Sequence, residues 1–375
     1  MTEPRPRFTD LVQGLPATIP FVGPEALERR RGRGFELRLG ANESAFGLSP
    51  LAAEAIRREL GRAAWYGDPE AFELRERLAG LHRVGLDEIV VGAGIDELLG
   101  VLVRAVTGPG DPVVTSAGAY PTFNYHVAGF GGRLVAVPYR DDHEDLEGLA
   151  LAVRREGAKL VYLANPDNPM GTWHTGSAVQ GFIAGLPADV LVLLDEAYVE
   201  LAPADTAPPI DTADPRVVRL RTFSKAHGMA GLRIGYAIAH AEVIQAMGRI
   251  RNHFGVSRVA QAAAMASLDD AAFVAGVVAE VARGRDEYAE LAARLGFVAL
   301  PSATNFVAID VDPEGWAGAQ PGAARRARRR RGLHPPAGHR AARPLHPRLG
   351  RHRPRARPLR RDSQRHRARL IGFIA

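Results

Sequence analysis

The chain has 375 residues, of which 46% are hydrophobic and 24% charged, with no cysteine and a formal net charge of +6. This composition is typical of a soluble globular protein of one large domain or two, and the lack of cysteine excludes a disulfide framework, a thiolate zinc site and a cysteine nucleophile. No apolar run approaches the roughly 18 residues of a membrane-spanning helix, and MTEPRPRFTDL lacks the apolar stretch of a signal peptide, so we predict a cytoplasmic protein.

Two helical patterns come first, between Leu48 and Leu81, with Trp65-Tyr66-Gly67-Asp68-Pro69 between them. Short β-branched runs then alternate with helical patterns such as Asp96–Val106 and Ala178–Leu186. The runs are Ile89–Val91, Val113–Thr115, Leu134–Pro138, Leu160–Leu163, Val190–Leu194, Val217–Arg221 and Ile234–Ala239. This alternation predicts an α/β fold with a mostly parallel sheet sandwiched by helices. The continuous apolar runs indicate strands that are covered on both faces.

Three more helical patterns follow, and then the texture of the sequence changes. The helices are Ala241–Asn252, Val256–Leu268 and Ala271–Leu295, and a strand is predicted at Asn305–Val311. Residues 315–369 show no periodicity and hold 18 Arg and a single acid, for a net charge of +17. Because the net charge of the whole chain is +6, the residues outside this segment together carry −11, so the body of the protein is acidic.

Lys225 is one of only two lysines, beside 46 arginines. A primary amine can lose its proton and form a Schiff base, which a guanidinium cannot do, so a retained lysine suggests covalent chemistry. Lys159 precedes a strand and is interpreted as a solvated surface residue. Lys225 follows a strand end, with Thr222 and Ser224 before it and Arg233 after it, an arrangement that suits a phosphate tethered beside an imine. A polar loop with an exposed lysine is the other interpretation.

Three further strand ends carry candidate binding residues. Gly92-Ala93-Gly94-Ile95-Asp96-Glu97 is either a phosphate-binding helix start or a tight turn, and it matches neither the dinucleotide fingerprint nor a P-loop. Asn165-Pro166-Asp167-Asn168-Pro169-Met170-Gly171 is either a Pro/Asn turn or a source of amides for a ligand oxygen. Asp195, followed by Glu196-Ala197-Tyr198, is a metal ligand, the partner of a protonated ring nitrogen or a helix cap. The missing P-loop argues against the metal ligand.

Taken in order, and with Tyr120-Pro121-Thr122-Phe123 between them, these segments resemble the pyridoxal-phosphate aminotransferases of fold type I. Leu39-Gly40-Ala41-Asn42-Glu43-Ser44 and the Trp65–Pro69 segment are similar to the histidinol-phosphate aminotransferase branch of that family. The resemblance covers residues 8 to 312. It implies an N-terminal segment (1–45) packed on a small domain, a large cofactor-binding domain (46–270), the start of the small domain (271–312) and an atypical segment (313–375).

The resemblance implies a role for each candidate residue. Lys225 would hold the cofactor covalently and later move a proton at the substrate carbon, and Asp195 would pair with the protonated pyridine nitrogen. Tyr198 and Asn168 would bond the phenolate oxygen of the ring, and Phe123 would stack on its face. The cofactor phosphate would be bound by the Ala93 and Gly94 amides, Thr222, Ser224 and Arg233.

The remaining roles and two departures concern the edges of the site. Tyr66 would reach the phosphate of the neighbouring subunit, which implies a homodimer, and Asn42 would lie near the substrate. Ile95 stands in the phosphate turn where the family often has Ser or Thr, so one side-chain contact to the cofactor is lost. Met170 replaces the usual Thr of the Asn-Pro turn, a change that we expect to be tolerated.

The C-terminal segment departs from the family, in which the chain completes the small domain and supplies an Arg for the acidic group of the substrate. Three interpretations of residues 315–369 stay open: a basic tail for nucleic acid, a disordered appendage, and a frameshift in a GC-rich gene that is restored near Leu370. We favour the frameshift, because such codons read out of frame yield Arg, Pro, Gly, Ala and His, and Asp362 is the single acid of the stretch. No Arg there can then be assigned to the substrate.

The sequence therefore predicts a pyridoxal 5′-phosphate aminotransferase. It would act between a histidinol-phosphate-like amine or amino acid and a 2-oxo acid such as 2-oxoglutarate, as a homodimer and without a metal, a membrane or a nucleic acid. One alternative is a pyridoxal-phosphate decarboxylase of the threonine-phosphate type, which would use the same Lys225 and Asp195. The other is a catalytically impaired homologue whose Arg-rich segment binds polyanions.

Overall fold

The computed structural model describes residues 7–16, 22–311 and 369–373. Within them the helices are α1 (Asp10–Gly14), α2 (Pro24–Arg31), α3 (Pro50–Leu60), α4 (Phe72–His82), α5 (Ile95–Val106), α6 (Pro121–Gly129), α7 (Leu146–Glu156), α8 (Gly176–Ala184), α9 (Ala241–Gly248), α10 (Arg258–Asp269) and α11 (Ala271–Arg294). The strands are β1 (Ile89–Gly92), β2 (Pro112–Ser116), β3 (Arg133–Val137), β4 (Leu160–Ala164), β5 (Leu191–Asp195), β6 (Val217–Thr222), β7 (Gly235–Ile238), β8 (Val298–Ala299), β9 (Phe306–Asp310) and β10 (Arg369–Phe373). The Arg-rich segment up to residue 368 lies outside the described residues, and its three interpretations stay predictions.

Seven strands form one sheet in the order β1-β7-β6-β5-β4-β2-β3. The pairs among β2 to β6 are parallel, whereas β7 is antiparallel to both β6 and β1. All strands except β7 therefore run in the same direction, which confirms the mostly parallel sheet. The apolar run Ile234–Ala239 predicts the strand β7 but not its direction, because such a run has the same pattern whichever way the chain passes through the sheet.

Apolar side chains cover both faces of this sheet. β4 is buried along its whole length, and its successive residues contribute to two different clusters. Tyr162 packs with α5 and α6 on one face, and Leu163 packs with α7 and α8 on the other. Full burial of one large apolar side chain contributes about 1.5–3 kcal/mol, so the two clusters hold the strand ends in fixed positions.

A second apolar layer connects the sheet to the rest of the chain. α3 and α10 pack together beside β1 and β7, and α11 packs on a smaller sheet of order β10-β9-β8. Both neighbours of β9 are antiparallel to it, and Leu370 of β10 is opposite Ile309. α10 and α11 meet at an 80° bend near residue 270, and the domain boundary expected there stays a prediction.

Side-chain caps explain where several helices begin. Ser49, Asp145 and Thr175 accept hydrogen bonds from the first turns of α3, α7 and α8. α8 therefore begins at Gly176, two residues before the start that hydrophobic periodicity predicts. In the part of the chain that the structure describes, no single helix is long and apolar enough to cross a membrane, and α10 and α11 meet that criterion only as a bent pair.

A buried ion-pair network joins the end of β5 to β6. Glu196 is 1% exposed and accepts hydrogen bonds from Arg219 Nε at 3.1 Å and from Arg221 Nε at 2.8 Å. Arg219 also donates to Pro208 O at 2.8 Å. Burial by itself would raise the pKa of Glu196, but the positive charges and hydrogen bonds of the two arginines hold it below its usual value.

Candidate active site

The carboxyl ends of the parallel strands meet at one edge of the sheet, where ligands bind in open α/β sheets. Gly92 ends β1, Asp195 ends β5 and Thr222 ends β6, and the 165–171 turn follows β4. The strand register brings these ends together, because Gly92 and Thr222 are both opposite Gly235 of β7. The sequence-predicted segments therefore share one edge, although more than 100 residues separate the first from the last.

Lys225 lies in the loop after β6, and its amine faces the N-terminal part of the chain. Its Nζ donates a hydrogen bond to Asn42 O at 3.1 Å and lies 5.4 Å from the centroid of the Tyr198 ring. Burial lowers the pKa of the Lys225 amine to about 8, although the nearby charge of Asp195 opposes this shift. A larger fraction of this amine is therefore neutral at pH 8 than in an exposed lysine, as a nucleophile requires.

Asp195 is buried, and both of its oxygens accept hydrogen bonds. Tyr162 Oη donates to Oδ2 at 2.8 Å and the Ala197 N–H donates to Oδ1 at 3.0 Å. Burial raises the pKa of Asp195 to about 6, against the effect of these hydrogen bonds. The nearby acids Asp96 and Glu196 raise this pKa further, and the charge of Asp195 in turn acts on the Lys225 amine. Such a carboxylate suits a cationic group of a ligand, for example a protonated ring nitrogen.

Tyr198 accepts hydrogen bonds from two amides that come from distant segments. Asn42 Nδ2 donates to its hydroxyl at 3.0 Å and Asn168 Nδ2 donates at 3.4 Å. Burial raises the pKa of the Tyr198 phenol above its usual value, so the hydroxyl keeps its proton. The structure thus brings Asn42 and Asn168 to the Tyr198 hydroxyl, which can itself donate a hydrogen bond to a ligand oxygen.

The turn after β1 forms a tight cradle against Arg233. Gly94 has a φ of 84°, and a Cβ at this position would lie 2.5 Å from Arg233 Nη2. The Ala93 N–H donates to the Glu97 side chain, and the Gly94 N–H donates to Gly92 O at 2.8 Å. These two predicted phosphate donors are thus occupied within the turn. The N–H groups of the first turn of α5 have no intrahelical acceptor. They point out of the N-terminal end of the helix, where an anion can accept their hydrogen bonds.

Hydroxyl and guanidinium groups lie beside this helix start. Thr222 Oγ1 donates to Ser224 Oγ at 2.8 Å, and Arg233 Nη2 lies 3.5 Å from Asp96 Oδ2. Ile95 opens α5 with its side chain buried, so it offers only its backbone N–H. Two hydroxyls, a guanidinium and a helix N-terminus around one turn suit an anion such as a phosphate.

Phe123 and Tyr162 form a stacked pair below the site. Their ring centroids are 4.4 Å apart with the planes inclined by 16°, and Phe123 is 0% exposed. Phe123 therefore lies against Tyr162 and not in the open part of the site, and its stacking on a cofactor ring stays a prediction. Sequence reasoning missed Tyr162, because a tyrosine in an apolar strand is typical of the core. Its position in β4, one strand away from Asp195 of β5, is the signal that could have identified it.

Tyr66 lies on the surface of the chain. Its side chain is 79% exposed, and its ring centroid is 4.8 Å from that of Phe254, which is also exposed. Trp65, beside it, is exposed as well. Neighbouring exposed aromatic residues are unusual on a monomer and suit contact with another molecule.

Buried polar atoms without a hydrogen-bond partner occur in the segments that adjoin Lys225. Within residues 22–311, Asn42 Oδ1, Ser44 Oγ and Asn305 Oδ1 are buried without a hydrogen-bond partner. Ser44 and Asn305 line a small pocket together with Lys225 and Phe46. Asn305 Nδ2 donates to Asn42 O at 3.3 Å, the same carbonyl that accepts from Lys225. Buried polar atoms normally have partners, so these atoms fit a site that is completed by a polar ligand.

An amine and a buried carboxylate at the carboxyl edge of this sheet, next to a Gly-rich turn that opens a helix, are the arrangement expected of a pyridoxal-phosphate enzyme of fold type I. The sequence model of aminotransferase class I and II matches residues 36–329. The chain belongs to this family. It is a transaminase, and its cofactor is pyridoxal 5′-phosphate.

Three known proteins illustrate the relationship. A histidinol-phosphate aminotransferase from Anaeromyxobacter sp. is 40% identical over 303 residues, which are 80% of this chain and 83% of that protein. The crystal structure of histidinol-phosphate aminotransferase from Sinorhizobium meliloti, in complex with pyridoxal 5′-phosphate, is 51% identical with a TM-score of 0.79 over 86% of each chain. Thermus thermophilus aspartate aminotransferase with maleate is 26% identical, with a TM-score of 0.71 over 82% of this chain and 85% of that one. Aminotransferases with different substrates therefore share this fold.

Proposed function

We propose that the chain transfers the amino group of histidinol phosphate, or of a closely similar amine, to a 2-oxo acid such as 2-oxoglutarate. The observation that carries the proposal is the similarity to histidinol-phosphate aminotransferases over most of the chain, in sequence and in structure. The unpaired polar atoms in the segments beside Lys225 support it, because a polar substrate can supply the hydrogen-bond partners that they lack.

Lys225 and Asp195 carry the central roles in this proposal. Pyridoxal 5′-phosphate, when bound, supplies an aldehyde that takes up the amino group and a ring that withdraws electrons from the reacting carbon. Lys225 Nζ would hold the cofactor covalently in the resting enzyme and would move a proton at the reacting carbon of the substrate. Asp195 would keep a proton on the ring nitrogen, a role that its burial at the end of β5 supports. Asn42 binds the substrate beside the amine.

The remaining residues orient the cofactor. Tyr198 and Asn168, which are hydrogen-bonded to each other, donate to the phenolate oxygen of the ring. Phe123 supports the ring from below. The phosphate is bound by the N–H groups at the start of α5, from Ile95 onward, and by the side chains of Thr222, Ser224 and Arg233. In this proposal the Ala93 and Gly94 amides shape the turn, because their N–H groups are already bonded within it.

Substitution of Gly94 by alanine is expected to weaken the binding of pyridoxal 5′-phosphate at least about tenfold. The added Cβ would displace Arg233, and the loss of one charge-assisted hydrogen bond corresponds to about 1.5–3 kcal/mol. Titration of the cofactor-free chain, followed by absorbance, measures the dissociation constant. Gly80→Ala, in α4 with nothing within 4 Å of the new Cβ, is the matched control and should bind the cofactor like the wild type. Equal affinity of the two variants would contradict the phosphate site.

We further propose that the active enzyme is a homodimer in which Tyr66 reaches the phosphate site of the partner subunit. The exposed aromatic cluster of Trp65, Tyr66 and Phe254 supports this arrangement. Mixing of an inactive Lys225→Ala chain with a Tyr66→Phe chain tests it. If the sites are shared between subunits, one of the two sites in the hybrid dimer has both Lys225 and Tyr66 intact, and activity is regained. A monomer in sedimentation at the assay concentration would contradict the proposal.

The amino donor is tested with the full-length chain loaded with pyridoxal 5′-phosphate. Histidinol phosphate, histidinol and aspartate are each supplied with 2-oxoglutarate, and the glutamate that forms is measured. We expect histidinol phosphate to give the highest kcat/KM, with histidinol, which lacks only the phosphate, as the matched control. Preference for aspartate would contradict the proposed donor, and release of carbon dioxide from threonine phosphate, supplied in a parallel assay, would favour the decarboxylase.

A further inference from the structure

Two carboxyl groups lie in contact in the interior of the chain, beside the site but not in it. Glu144 and Asp167 are each 2% exposed and are hydrogen-bonded to one another. In the described part of the chain neither is neutralised by an arginine or a lysine. Two buried carboxylates in contact repel strongly, so a proton between them is needed to keep both in place.

Glu144 connects the ends of two parallel strands. Its Oε2 accepts a hydrogen bond from Ser116 Oγ, at the end of β2, at 2.6 Å. Its Oε1 accepts from the N–H of Ala164, the last residue of β4, at 2.9 Å. The ring of His174 contacts the carbonyl oxygen of Glu144 at 2.8 Å. The side chain of Glu144 is thus fixed at the edge of the sheet where the 165–171 turn begins.

Asp167 organises that turn from within. Its Oδ1 accepts from Tyr139 Oη at 3.0 Å and its Oδ2 accepts from the Met170 N–H at 2.9 Å. Its own N–H donates to Thr172 O at 2.9 Å. Asn168 is the next residue, so the same bonds place its backbone and the side-chain amide that reaches the Tyr198 hydroxyl.

We propose that Glu144 and Asp167 share one proton and that the pair positions Asn168 for its contact with the cofactor ring. This inference rests on the proposed function of the site. With the proton present, the two carboxyls attract each other and hold the turn against the end of β4. Loss of the proton places two negative charges in contact and drives the turn, and Asn168 with it, away from Tyr198.

The ionisable groups that face the pair leave this proton in place over an extended pH range. Burial raises the pKa of Glu144 well above its usual 4.5 and raises that of Asp167 to about 6. The hydrogen bond from Tyr139 and the charge of His143 lower the pKa of Asp167, but they do not cancel the effect of burial. Burial raises the pKa of Tyr139, which therefore stays neutral, and lowers that of His174. The pair thus keeps its proton at pH values where exposed carboxyls have lost theirs.

The shared proton is tested without the cofactor, by the pH dependence of unfolding. Glu144→Gln replaces the proton by a permanent N–H donor. Because the folded wild type retains a proton that the unfolded chain has lost, its folding equilibrium constant is expected to fall by up to about tenfold per pH unit above the usual carboxyl pKa. Asp195, whose pKa is also raised, contributes a decline of its own, so Glu144→Gln should lose only the part that the shared proton adds, whereas Glu147→Gln, an exposed position on α7, should keep the whole decline. Identical declines in the wild type and Glu144→Gln would overturn the proposal.

The positioning role is tested by the affinity for pyridoxal 5′-phosphate between about pH 5 and pH 9, the range in which a proton shared by buried carboxyls is lost. The ratio of the wild-type dissociation constant to that of Glu144→Gln is expected to rise with pH, by up to about tenfold per unit. Asp167→Asn removes the shared proton from the other side and should behave like Glu144→Gln, which keeps the test valid if one variant does not fold. A constant ratio would overturn the positioning role, whereas a wild-type chain that binds no cofactor at any pH would overturn the proposed function itself.

Discussion

Replacement of Lys225 by alanine is expected to lower kcat by about 10²- to 10⁴-fold, because no other amine can move the proton at the substrate carbon. Lys225→Arg should lose as much, since a guanidinium keeps its proton. In the wild type, the rate of covalent cofactor attachment to the cofactor-free chain is expected to rise with pH and to level off above about 8, where the amine is neutral. Stopped-flow absorbance after mixing with pyridoxal 5′-phosphate measures that rate.

The second lysine of the chain provides the control. Lys159 is exposed and its Nζ pairs with Asp111 Oδ2 at 2.9 Å, away from the carboxyl edge of the sheet. Lys159→Ala removes the same functional group and is expected to keep the wild-type kcat, with at most about 1 kcal/mol of lost stability. If Lys225→Ala retained activity within about tenfold of the wild type, Lys225 would not be the catalytic amine.

Replacement of Glu196 by alanine is expected to lower the free energy of unfolding by about 3–5 kcal/mol. The substitution leaves Arg219 and Arg221, whose side chains are 4% and 13% exposed, buried without a carboxylate. Since these arginines connect β6 to the end of β5, the loss should also loosen the strand ends that carry Asp195 and Thr222. Denaturant unfolding, with the slope of the transition compared between variants, measures the effect.

An exposed pair of the same residue types is the matched control. Glu280 pairs with Arg283 one turn further along the surface of α11, and both side chains are well exposed. Glu280→Ala is expected to change the free energy of unfolding by at most about 1 kcal/mol, because solvent screens an exposed ion pair. Similar losses in Glu196→Ala and Glu280→Ala would mean that burial of the Glu196 network contributes little.

Much of the candidate site could be predicted because its residues follow strand ends that are visible in the sequence. Asp195 ends the apolar strand β5 and Lys225 lies three residues beyond the end of β6, and in a parallel sheet such positions meet at one edge. The resemblance placed Asn42 only near the substrate, and no local pattern predicts its hydrogen bond to Tyr198, because the two residues are 156 positions apart. That pairing became visible only in the tertiary structure.

The partners of the predicted residues could not be found in the same way. Tyr162 has the pattern of a core residue, and only the register of β4 against β5 places its hydroxyl at Asp195. Glu144 and Asp167 look like surface and turn residues, because acidic side chains in polar segments are normally solvated. Their contact depends on the packing of the 165–171 turn against the ends of β2 and β4.

The sequence by itself determined the alternation of strands and helices, the lysine and carboxylate of the site and the abrupt change in composition after Asp312. These properties are local, since periodicity, residue type and position after a strand are set within a few neighbouring residues. The tertiary structure alone decided the antiparallel direction of β7, the burial of Phe123 against Tyr162 and the contact between Glu144 and Asp167. Each of these depends on which distant segments pack together, and that choice is made by the burial of apolar surface over the whole sheet.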